Sequence, residues 1–250
     1  MNLGAMHNTP GDVGSYGLLY QWGRKDPFPA APTLTGTTAT VGAPIYDGDD
    51  NEIKITNSSQ SSTADNNLAF AIANPTVCLS NYAQFNTSRD WLQADMSNDA
   101  LWGNPKGAER NETNDFLNKG AKSFYDPCPV GWRVPPADVF RNFTASGGYA
   151  WVIDDFDIAD ISGDGAKSLA DYDYGWTFNL SDSASSYFPA AARFDGSYAM
   201  LMGSMSGLWG SYWGNAPYPG DMFQGGAYSV LSFQIKDTAG NEMITTSPAG

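Results

Sequence analysis

Residues Asp160 to Asp171 read Asp-Ile-Ser-Gly-Asp-Gly-Ala-Lys-Ser-Leu-Ala-Asp, a spacing suited to holding a calcium ion. Oxygen-bearing side chains fall at positions 1, 3, 5, 9 and 12 of a twelve-residue loop, and a glycine falls at position 6, where such a loop turns sharply. Asp160, Ser162 and Asp164 would ligate through side chains, Ala166 through its carbonyl, and Asp171 from the far end. Against this, Lys167 stands where an apolar residue is usual, Asp171 reaches less far than a glutamate, and no helix pair brackets the segment. An acidic surface turn accounts for the same letters, with Asp154, Asp155, Asp157 and Asp173 nearby. Calcium is the one candidate cofactor.

Catalytic groups are scarce. The sole histidine, His7, sits in the turn-like "AMHNTPGD", and no Gly-x-Ser-x-Gly elbow accompanies it. One histidine and two distant cysteines do not make a zinc site. Among 27 acids nothing singles out a pair for glycoside hydrolysis. No catalytic residue is assigned. Cys78 and Cys128 are either a disulfide or two free thiols, which spacing does not decide. A cysteine between prolines, as in "DPCPVGW", suits a structural bridge better than a redox-cycling thiol.

Binding has a better candidate in "GSMSGLWGSYWGNAPYPGDMFQGG", residues Gly203 to Gly226. Exposed Trp and Tyr offer large, rigid contact area at low entropic cost, and Gly and Ser spacers let a partner approach. Trp209, Tyr212, Trp213 and Tyr218 are the expected ligand-binding residues, through contacts or by stacking on sugar rings. Burial is expected for Trp213, since large aromatics are mostly interior, and exposure for Tyr212 and Tyr218. "GRKDPF" is the compact basic spot, where Arg24 and Lys25, followed by Asp26-Pro27, are expected to form a salt-bridged turn rather than an anion site.

The elements that must position these groups are short. The 250 residues are 42% hydrophobic, with 27 Gly, 8 Trp, 13 Tyr and 13 Phe against 16% charged residues. That balance points to a loop-heavy fold rich in β structure. The strand-like runs are Tyr16–Trp22, Asn51–Ile55, Tyr149–Ile153, Gly175–Leu180 and Tyr228–Ile235. Helical periodicity is confined to Pro136–Asn142 and Asn111–Lys119. No repeat and no linker divides the chain, so residues 1–250 read as one domain. The net charge of −14 speaks against nucleic acid and anionic lipid as partners, and no apolar run is long enough for a membrane span.

Six segments in order carry a resemblance. They are "NLGAMHNTPGDVGSYGLLYQWGRKDPFP", "IANPTVCLSN", "DWLQAD…LWGN", "YDPCPVGWRVPPADVF", "YFPAAARFDGSY" and "GLWGSYWGNAPYPGDMFQGGAYSVLSF". Together they resemble the major paralogous domain first described from Fibrobacter and widespread in surface lipoproteins and fimbria-associated proteins of Bacteroidetes. The resemblance implies an α+β, C-type-lectin-like fold: a small twisted antiparallel sheet, one or two short helices and long loops. It also implies that the chain lacks the family's usual first residues and last strand. In relatives that strand carries the cysteine expected to partner the one at Cys128, so Cys128 is either an orphan or paired with Cys78. Trp132 is expected to anchor its turn in the core. The Glu-Pro-Asn and Trp-Asn-Asp devices of calcium-dependent lectins are absent, and "WGN" at Trp213–Asn215 is only a faint echo of the second.

The favoured expectation is a non-catalytic, extracellular recognition or adhesion domain of a bacterial surface or fimbria-associated protein, with a phage origin as a variant. It would bind a host protein or glycan through the Gly203–Gly226 loops. One alternative is a structural module of a surface assembly that accepts a partner strand at an open sheet edge. The other is an enzyme resembling formylglycine-generating enzymes, which would need Cys78 and Cys128 close together and accessible.

Overall fold

Short strands joined by tight turns dominate the computed structural model, which describes residues 2–30, 45–46, 49–53, 56–59, 67–80, 101–103, 121–135, 143, 156–195, 200–201, 206–217, 227–234 and 243–245. In chain order the strands are β1 (Leu18–Tyr20), β2 (Pro27–Pro29), β3 (Ile45–Tyr46), β4 (Glu52–Ile53) and β5 (Thr56–Ser59). The helix α1 (Asn67–Ala73) and β6 (Val77–Ser80) follow. Then come β7 (Gly175–Ser181), β8 (Ala184–Pro189), β9 (Phe194–Asp195), β10 (Met200–Leu201), β11 (Trp209–Pro217), β12 (Ala227–Gln234) and β13 (Met243–Thr245). This is an α+β chain with few helices and small sheets. Among the described residues the strand pairs are antiparallel except β5–β6, whose parallel pairing requires a crossover, and α1 lies in it.

The helix stops where its sequence says it must. Asn74 donates its backbone N–H and its side-chain amide to the Phe70 carbonyl, and Pro75 has no N–H to continue the ladder. α1 buries Ala71 against Trp22, Leu79, Leu101, Trp102 and Val134, with Tyr20, Tyr125, Cys128 and Trp213 packed around them. Each large side chain buried this way contributes about 1.5–3 kcal/mol. The rings of Trp22 and Trp102 lie 5.7 Å apart, and Trp102 Nε1 donates to the Arg24 carbonyl at 3.2 Å.

Arg24 organises this half of the molecule. Its side chain is buried, and its guanidinium meets Asp26 Oδ2 at 2.7 Å. The same group donates to the carbonyls of Val77 (2.6 Å), Ala71 (3.3 Å), Asn74 (3.3 Å) and Pro75 (3.4 Å). The expected ion pair of the "GRKDPF" turn is present. Spacing did not indicate that its cation would be interior, tying the β1–β2 turn to the end of α1.

A second aromatic core lies under β7 and β8. Trp176 and Phe178 alternate inward along β7, and Phe178 stacks on Phe143 at 5.0 Å and meets Phe188 edge-on at 5.6 Å. β12 lies between β11 and β13, with β13 covering Ser232–Gln234.

Several expectations meet the structure directly. Tyr16–Trp22, Asn51–Ile55, Gly175–Leu180 and Tyr228–Ile235 each contain a strand. Within Gly203–Gly226, expected as loop, β11 is a nine-residue strand paired with β12. Its Gly and Ser positions suppressed the strand signal, and pairing with the β-branched and aromatic run of β12 overrides it. The helix expectations at Pro136–Asn142 and Asn111–Lys119, and the strand at Tyr149–Ile153, lie outside the described residues.

Candidate functional site

The segment from Ala121 to Pro135 is built around one carboxylate. Asp126 is buried, and it accepts from Lys122 Nζ at 2.7 Å, from the Cys128 N–H at 2.9 Å and from the Val134 N–H at 3.0 Å. Lys122 also donates to the Cys128 carbonyl at 2.6 Å. The Asp-Pro-Cys sequence makes the first of these turns natural, because an aspartate readily accepts from the N–H two residues on. Val134 is a long-range partner that returns the chain to the core.

Between those anchors, Pro129 to Trp132 form a turn closed by the Trp132 N–H on the Pro129 carbonyl at 3.0 Å. Gly131 has φ +86°, the left-handed conformation that the third position of a type II turn demands. The segment is fixed further by Ser123 Oγ, which donates to the Leu101 carbonyl, and by the Asn215 N–H of β11, which donates to the Pro135 carbonyl at 2.9 Å. Gly103 allows the close approach, since a Cβ there would run into the Ala121 carbonyl.

This frame holds three large apolar side chains in solvent: Val130 is 97% exposed, Phe124 79% and Trp132 73%. Trp132 is thus not the core anchor expected of it. The inward side chains of this segment are Tyr125, Cys128 and Val134, and the glycine turn carries Trp132 the other way. Lys25 lies over Phe124, its Nζ 4.8 Å from the ring centroid.

The residues expected to bind are placed differently. Trp209 is half-buried and covered by the Arg193 guanidinium 4.0 Å from its ring. Tyr212, expected at the surface, is half-buried; its hydroxyl donates to the Pro189 carbonyl at 2.6 Å and its ring meets Phe188 edge-on at 5.0 Å. Trp213 packs against the Trp22 core and donates Nε1 to the Tyr20 carbonyl at 2.8 Å. A register irregularity between Tyr212 and Trp213 breaks the in–out alternation of β11, so neighbouring aromatics can both anchor. Tyr218 lies outside the described residues.

The acidic loop closes on its own backbone. Asp160 accepts from the N–H groups of Gly163 (2.6 Å) and Gly165 (2.9 Å) and from Ser162 Oγ (3.2 Å). Asp164 accepts from the Ala166 N–H at 2.8 Å. Asp171 is buried and accepts from the N–H groups of Ser162 (3.0 Å) and Ser168 (3.1 Å). Burial opposes the charge of Asp171, but those hydrogen bonds outweigh it and hold the carboxyl below its usual pKa. Among the described residues no group of three or more His, Cys, Asp or Glu is placed to hold a metal.

Both cysteines are free thiols, so the structure does not join Cys78 to Cys128. Cys78 is buried against Phe28, whereas Cys128 is half-buried against the Trp22 core. Burial pushes the Cys78 thiol up to about 12; burial and the Asp126 carboxylate push Cys128 up to about 11. His7 lies 3.6 Å from Asp12. No helix of the described residues is long and apolar enough to cross a membrane.

No protein-family model, curated protein or solved structure matches this chain.

Proposed function

We propose that this chain is a non-catalytic recognition module, exported and displayed on a bacterial surface, a fimbrial tip or a phage particle. It binds a protein or glycan through Phe124, Val130 and Trp132 rather than through the aromatics of β11. The observation that carries this reading is the exposure of those three side chains on a turn held by the buried Asp126 carboxylate. A rigid frame lowers the ordering cost of binding, and aromatic anchors give contact area. Among the described residues, the few helices and small antiparallel sheets support the lectin-like architecture that the sequence motifs resemble. Thiols with raised pKa values are poor nucleophiles, which favours recognition over formylglycine-type chemistry.

Adhesion of the immobilised protein to whole cells and to a glycan array tests the assignment. Trp132→Ala and Phe124→Ala should lose retention, while Trp209→Ala keeps it. Equal retention by all three and the parent overturns the proposal.

A further inference from the structure

We draw no further inference here: the strongest candidate, the exposed apolar turn Pro129–Trp132 above the buried Asp126 carboxylate, belongs to the site already described, and nothing in the structure shows what covers it.

Discussion

Lys122 and Asp126 form an ion pair one helical turn apart in sequence but not in a helix, with Nζ 2.7 Å from a carboxylate that is wholly shielded from solvent. The same carboxylate holds the N–H groups of Cys128 and Val134, so one side chain fixes both ends of the turn that displays Trp132. Asp126→Ala should therefore lower stability by about 1–3 kcal/mol, since it leaves the buried Val134 N–H and the part-buried Cys128 N–H without their acceptor, while the exposed Lys122 ammonium turns to water. Chemical denaturation checks the magnitude. Hydrogen exchange should show faster opening of the Cys128 and Val134 amides, and unchanged exchange there would refute the role given to Asp126.

Arg24 should be more demanding still. Its buried guanidinium serves Asp26 and four backbone carbonyls from α1 to β6. Arg24→Met leaves those acceptors and Asp26 without their donor and should cost about 3–5 kcal/mol in guanidinium unfolding. Arg24→Lys should recover little, because an ammonium cannot reproduce the planar fork. Full stability in the lysine variant would contradict this account.

Alkaline pH should destabilise the fold through its tyrosines. Burial raises the pKa values of Tyr16, Tyr172, Tyr187 and Tyr212 above the ordinary 10.0, and that of Tyr20 to about 12. These phenols are neutral in the folded state, whereas the unfolded chain releases their protons from about pH 10 upward. Their contribution is thus complete below pH 10 and is lost as pH climbs through the folded values. Denaturation midpoints should fall steadily above pH 10, and phenolate absorbance should rise together with unfolding. Full tyrosine ionisation near pH 10 without unfolding would show that these hydroxyls are not buried.

The thiols offer an independent check. With Cys78 at about 12 and Cys128 at about 11, neither has appreciable thiolate near neutral pH. The native protein should react with a thiol reagent far more slowly than the denatured protein, which should then yield two thiols per chain. Rapid native reaction, or fewer than two thiols after denaturation without reductant, would contradict the arrangement.

Local chemistry was legible in the letters. The alternation in "GWTFNL" specifies β7, the β-branched and aromatic run of "YSVLSFQI" specifies β12, and Arg24 and Lys25 next to Asp26 indicate a salt-bridged turn, in which Arg24 is the partner. Such features depend on neighbours in sequence, which a reader of the sequence can see. α1 went unread because "NLAFAIA" is only seven residues, Asn67 followed by an unbroken apolar run, too short for periodicity to separate helix from strand.

Burial is a different kind of property. Whether Trp132 or Tyr212 faces water depends on what returns to cover it: Val134 closing on Asp126 in one case, Pro189 and Phe188 reaching β11 in the other. The sequence by itself determined the turn at Pro129–Trp132, through Gly131 and its flanking prolines, because φ preferences are local. Only the tertiary structure decided that the indole at its end points outward while those of Trp22 and Trp102 point inward, since hydrophobic burial is settled by partners distant in the chain.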